Sequence, residues 1–187
     1  MECNERWKGI EEHYREIPRF RELLNYDKLI EKVRQKDDIL SIVDELIDWG
    51  PSENEQEAAI KEVLALVTED DYDLLVIAGG KHTWTNTVRL LKSVGYPRNK
   101  KALPSLILLL RDLNWPGTRE GMEALKNAND ADKNVLIPIL EIAIEEAYNT
   151  DDGNWLAWIR EFLEFAQIDE IAFTTHEVYS LLNCADW

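Results

Sequence analysis

"DLNWPGTREGMEAL", residues 112–125, follows directly on the apolar run "ALPSLILLLR" at 102–111. The run stops at Asn114-Trp115-Pro116-Gly117, and a second helix-like pattern begins at once. Pro116-Gly117 supplies the fixed and the permissive backbone of a tight turn. The puzzle is Trp115, the largest side chain available, at so sharp a corner. A ring at a helix start can pack one turn further on and cover the open end of a helix pair. Trp115 and Pro116 therefore read as a structural plug between two antiparallel helices.

Corner tryptophans recur. Trp49 ends "DELIDWGPSENEQEAA", Trp84 sits in "GKHTWTNTVRLL" and Trp155 in "DDGNWLAWIREFL". From Trp49 through Trp84 and Trp115 to Trp155 the steps are 35, 31 and 40 residues, the range of helix-pair repeats. Trp49, Trp84 and Trp115 each mark a structural turn on this reading. A second register agrees: "LPSL" at 103–106 returns as "IPIL" at 137–140, a shift of 34. "LILLL" and "LIPILEIAI" are apolar around nearly the whole helical circumference and predict buried helices. The helix that follows the first is amphipathic, with Met122 and Leu125 opposite Arg119, Glu120, Glu123 and Lys126.

The same patterns predict helices over 4–16, 19–35, 37–49, 53–68, 71–79, 83–94, 102–113, 118–129, 133–149, 153–166 and 169–183. Ser52, Thr83 and Thr118 are placed to cap first-turn amides. Pro104 and Pro138 lie where a missing amide hydrogen costs little. Gly50-Pro51, Gly79-Gly80 and Gly95 with Pro97 read as turns. "LLVIAGG" at 74–80 is the most strand-like run, but it is short and flanked by helical signals. The expected fold is all-α: a short irregular α-solenoid of antiparallel helix pairs in one domain spanning 1–187. Less regular N-terminal helices occupy 1–80 and helix pairs occupy 81–187.

Charge is distributed in blocks. The formal net charge is −16. Residues 37–73 hold 13 acidic side chains against Lys61 alone. Residues 81–111 reverse this, with Lys81, Arg89, Lys92, Arg98, Lys100, Lys101 and Arg111 and no acid. Residues 112–187 return to 16 acidic against 4 basic. Such a surface repels phosphates and attracts basic partners, and acidic runs also serve simply to solvate a helical protein. No apolar run reaches the roughly 18 residues of a membrane span. The charged N-terminus carries no secretory signal pattern. Cys3 and Cys184 are the two cysteines, which fits a reducing, cytoplasmic setting.

Chemistry finds little support. "GGKHT" at 79–83 lacks the leading glycine and the hydroxyl after lysine that a phosphate loop requires. His13, His82 and His176 have no second histidine or glutamate at metal-binding spacing. The carboxylate pairs Glu11-Glu12, Glu141 with Glu145, Glu145-Glu146, Asp151-Asp152 and Glu161 with Glu164 are what an acid-rich chain produces by chance. No nucleophile signature accompanies Cys3, Cys184 or any serine. The reading assigns no catalytic residue, no metal and no cofactor. "NWLAWIREFLEF" aligns Trp155, Trp158, Phe162 and Phe165 on one helical face. That face is a core stripe or, if left open, a recognition surface.

The stretch 102–166 resembles HEAT-type repeats: an apolar first helix, Asp and Pro at the turn, and an early arginine in the second helix. The resemblance puts Asp112 and Arg119 where such units place a polar pair linking neighbouring repeats. "LRDLNWPG" and "NWLAWIREFL" together also resemble the bacterial domain-of-unknown-function family 5071, whose members share a D-x-N-W-P turn and a later W-x-x-W helix. Relatives of that kind occur among immunity proteins of polymorphic toxin systems. The resemblance implies a toxin-neutralising role. The expected function is a non-enzymatic acidic module for a basic protein, such as a toxin nuclease domain, without nucleic acid or membrane. Its partner-binding candidates are Asp112, Trp115, Trp155, Trp158 and Glu161. Two alternatives stand beside it: a HEAT-like DNA glycosylase, and a scaffold module binding another cellular protein.

Overall fold

A computed structural model describes residues 17–47, 52–78 and 81–185. The expected helix over 4–16, the Trp49 corner, Gly50-Pro51, Gly79-Gly80, Cys3 and His13 lie outside these residues. Every regular element among the described residues is helical. The helices are α1 (Pro18–Leu23), α2 (Tyr26–Gln35), α3 (Asp37–Ile47), α4 (Glu53–Leu66), α5 (Tyr72–Ala78) and α6 (Lys81–Val94). They continue as α7 (Leu103–Leu108), α8 (Thr118–Ala131), α9 (Ile137–Asn149), α10 (Gly153–Ala166) and α11 (His176–Ser180). Single 3-10 turns at Glu69–Asp71, Lys100–Ala102, Leu109–Arg111, Glu170–Ala172 and Leu181–Cys184 join or extend them.

From α5 onward the contacts alternate. α5, α7 and α9 touch in succession, as do α6, α8 and α10. Within each sequential pair, α5 touches α6, α7 touches α8 and α9 touches α10. The α6–α8 contact runs in register: Gly117 meets Trp84 and Thr85, Gly121 meets Val88, and Glu123 pairs with Lys92. Residue numbers rise together along the two helices, so α6 and α8 are parallel. The repeated "LPSL" and "IPIL" segments open α7 and α9, each with its proline in the first turn. Leu103, Leu106, Ile137 and Leu140 are all buried. Removing each such side chain from water contributes about 1.5–3 kcal/mol.

The N-terminal helices break this local pattern. The continuous helix expected over 19–35 divides at Asn25, whose φ of 51° is left-handed. A right-handed helix cannot run through that conformation, and asparagine tolerates it better than most residues. The break lets α1 turn onto α9 while α2 packs on α5. The Glu146 carboxylate in α9 accepts the Arg19 backbone N–H at 2.8 Å, a contact across 127 residues. Phe20 is fully buried, and its ring lies 5.7 Å from that of Trp155 in α10. A buried anion at the start of α1 meets its unpaired amides.

Some expected caps and starts differ. α6 already includes Lys81 ahead of Thr83, so Thr83 is a buried interior residue and does not cap the helix. Gly117 takes the cap position of α8 with φ 80°, and Thr118 follows it as the first helical residue. A threonine strongly disfavours that φ. α9 begins at Ile137 instead of 133, because an earlier start would place Pro138 in the helix interior. The helix expected over 169–183 is likewise interrupted: Phe173 and Thr175 are extended, and only His176–Ser180 is α-helical, capped by Thr175. Ser52 does cap α4, accepting the Glu55 amide.

Candidate interaction surface

The Trp84 and Trp115 corners meet. Trp84 lies in the first turn of α6 and donates its indole N–H to the Val76 carbonyl at 3.0 Å. Its ring is 5.3 Å from that of half-buried Trp115. The Lys81 ammonium sits over Trp115 at 4.9 Å. Asp112 builds the turn beneath them. Its carboxylate accepts the Asn114 amide at 2.8 Å and the Asn114 side chain at 3.0 Å, an Asx turn. Thr118 donates its hydroxyl to the Asp112 carbonyl. Asp112 and Arg119 do not pair; the aspartate is occupied within its own loop, and Arg119 is exposed. Trp84, Trp115 and Pro116 therefore line a seam between the starts of α6 and α8.

Trp155 occupies a second seam. Asp152 caps α10 by accepting the Trp155 amide at 3.0 Å, and its other oxygen accepts Arg111 at 3.1 Å. That guanidinium lies 5.3 Å from the Trp155 ring, with Phe20 against the ring as well. Trp155 is 0% exposed, so in this conformation it offers a partner nothing to touch. The expected single aromatic face divides accordingly. Trp155 and Phe162 are enclosed with Ile159, Leu163 and Ala166. Trp158 is half-buried, Glu161 exposed and Phe165 exposed. Phe20 of α1 lies against the Trp155 ring, whereas Phe165 on the same expected stripe is left exposed.

The basic 81–111 block is largely spent inside the molecule. Arg98 pairs with Glu69 at 2.5 Å, and Lys101 with Asp70 of the same 3-10 turn. Lys92 pairs with Glu123, Arg111 with Asp152, and Arg89 donates to Gln56. Ion pairs near the surface contribute little to stability individually, but those to carboxylates neutralise Lys92, Arg98, Lys101 and Arg111. Carboxylates therefore dominate the outward charge. Among the described residues no group of three or more His, Cys, Asp or Glu is arranged to hold a metal ion. His176 is paired with Glu170, and Cys184 is an exposed free thiol.

Two buried carboxylates shift in opposite directions. Burial pushes Glu146 up, only partly offset by the Arg19 and Phe20 amides and the charges of Arg19 and Arg111. Burial also works to raise Asp71, but hydrogen bonds from Lys36 and Thr68, with the Lys36 charge, outweigh it and hold Asp71 low. Lys36 lies 2.6 Å from Asp71, and the Thr68 amide and hydroxyl lie at 3.0 and 2.9 Å.

The chain was compared with family models, curated proteins and solved structures. It matches none. Among the described residues no helix is long and apolar enough to cross a membrane.

The opposed carboxylates set a pH dependence. Asp71, depressed in the fold, stabilises above the ordinary carboxylate range, and that contribution is lost as pH falls through its folded value. Glu146, raised in the fold, contributes below its unfolded value and loses that contribution as pH rises through its folded one. Asp71→Asn should cost about 2 kcal/mol at neutral pH and flatten the acid limb of the stability curve. Glu146→Gln should steepen the acid limb. Urea melts from about pH 3 to about pH 7 read both slopes; parallel curves for wild type and Asp71→Asn would refute the assignment.

Proposed function

We propose that the chain is a non-enzymatic binding module whose acidic surface docks a basic protein, in the manner of an immunity protein neutralising a toxin domain in the cytoplasm. The observation that carries this reading is the internal use of the basic block. Lys92, Arg98, Lys101 and Arg111 all face carboxylates of the same chain. The net charge of −16 is thus displayed with few free cations to counter it. The alternating helix contacts support a short irregular α-solenoid, and the D-x-N-W-P turn supports kinship with domain-of-unknown-function family 5071. Rigid helical scaffolds suit binding because little ordering entropy is lost on association.

Calorimetry against any basic protein domain encoded next to this gene tests the proposal. Tight binding at low salt, weakening roughly tenfold or more as ionic strength rises from about 0.05 to about 0.5 M, is expected. No binding at low salt overturns it. A gel-shift titration with duplex DNA should show no complex, since a net charge of −16 repels a phosphate backbone; a tight complex would instead favour the glycosylase reading.

A further inference from the structure

The C-terminal end of α10 carries a depression with an apolar floor and an acidic rim. Leu163, Ile168 and Tyr179 line it together with Glu164, Asp169, Gln167 and one cation, Arg160. Its shape follows from how the helix stops. Gln167 is left-handed at φ 55°; its amide donates to the Glu164 carbonyl and the Ile168 amide to the Leu163 carbonyl. This paired closure brings the residue after the cap against the last helical turn, here Ile168 against Leu163. The chain beyond is fixed from both sides. Phe173 is buried with its ring edge-on to Tyr179 at 5.3 Å, and Thr174 gives its amide and hydroxyl to Glu141.

Two apolar side chains close in sequence to these lining residues are exposed. Ile171 is 92% exposed on this pinned turn, and Phe165 is 43% exposed in the last turn of α10. Glu161 and Phe165 stand one turn apart on the same face. Glu161, Glu164 and Asp169 are exposed and form no ion pair among the described residues, whereas Glu170 is taken by His176. Arg160, the cation at this edge, already has an interaction of its own. Two other depressions lack this combination. One is lined by Asp152, which is committed to Arg111. The other is lined by Lys100, Lys101 and the Lys32-paired Asp73.

We propose that this edge is the docking surface, and that its occupant is a basic amphipathic segment of the partner protein. An apolar side chain of that segment enters the Leu163–Ile168–Tyr179 floor and packs on Phe165 and Ile171. Its lysines or arginines meet Glu161, Glu164 and Asp169. Pre-fixed apolar knobs ringed by unpaired carboxylates favour such a segment over a neutral or acidic one, by charge complementarity and by low ordering cost. The inference rests on the reading of the chain as an acidic binding module and gives that reading an address.

The test uses the full chain and a synthetic lysine–leucine amphipathic helix, with a glutamine–leucine helix of the same pattern as the neutral control. Fluorescence anisotropy at low salt measures affinity. Glu164→Gln with Asp169→Asn should weaken lysine–leucine binding about 5- to 10-fold, and Ile171→Ser about 5-fold. Glu57→Gln with Glu62→Gln on α4 should change it less than about 2-fold. Ile171 is too exposed for its replacement to unfold the protein, so that variant stays informative. Unchanged affinity in either edge variant, or an equal loss in the α4 variant, overturns this location while leaving the acidic-module reading intact. Failure of the wild-type chain to bind the lysine–leucine helix overturns both.

Discussion

Trp155→Ala lowers stability by about 3–5 kcal/mol, the expected cost of deleting a fully enclosed aromatic ring. Trp155 is 0% exposed and touches Phe20 of α1 and the Arg111 guanidinium. Its indole N–H meets no acceptor among the described residues. The loss is therefore one of packing and not of a hydrogen bond. That distinction gives a control: Trp155→Phe sacrifices ring volume alone and should cost about 1–2 kcal/mol. Hydrogen exchange adds a local readout, because α1 loses its aromatic seat, and amides 19–23 should exchange faster in Trp155→Ala than the global loss accounts for. A Trp155→Ala melt within about 1 kcal/mol of wild type would show that the ring is dispensable.

Gly117→Ala is the second large effect, at about 2–4 kcal/mol. Two costs coincide there. At φ 80° an L side chain is strained, and a β-carbon would stand 2.9 Å from the Trp84 carbonyl oxygen and 3.0 Å from the Thr85 α-carbon. Those are backbone atoms of α6 and cannot rotate away. Gly95→Ala separates the two costs. Gly95 has φ 68°, but the nearest atom to its added carbon is 4.0 Å away, so only the conformational penalty of about 1–2 kcal/mol remains. Equal denaturation midpoints for the two variants would remove the close approach of α8 to α6 as a determinant of stability.

The fold was legible where local chemistry decides it. Pro104 and Pro138 announced the starts of α7 and α9, and their shift of 34 residues separates two neighbouring helices of one row. Ser52 announced its cap because a hydroxyl before two glutamates satisfies amides in any context. Trp84 and Trp115 were legible as corners, but spacing alone does not say that the two rings touch. Glu146 gave no signal at all. It is one acid among 37, and what it binds is the backbone of Arg19 and Phe20, which every residue possesses alike. The basic block was plain in composition, yet its partners Glu69, Asp70, Glu123 and Asp152 are set by three-dimensional register. The exposed edge at Ile171 was equally hidden. An isoleucine after "QIDE" reads as core, and only the helix closure at Gln167 turns it outward.

The clasp of α1 on α9 changes how the molecule comes apart. Stacked units held only by their neighbours unravel from either terminus, one at a time. Here residue 19 is tied to residue 146, so the first half of the chain cannot peel off without also undressing the second. Closing so long a loop delays the reward of those contacts until late in folding. In return, heat should meet a single cooperative transition in place of stepwise fraying.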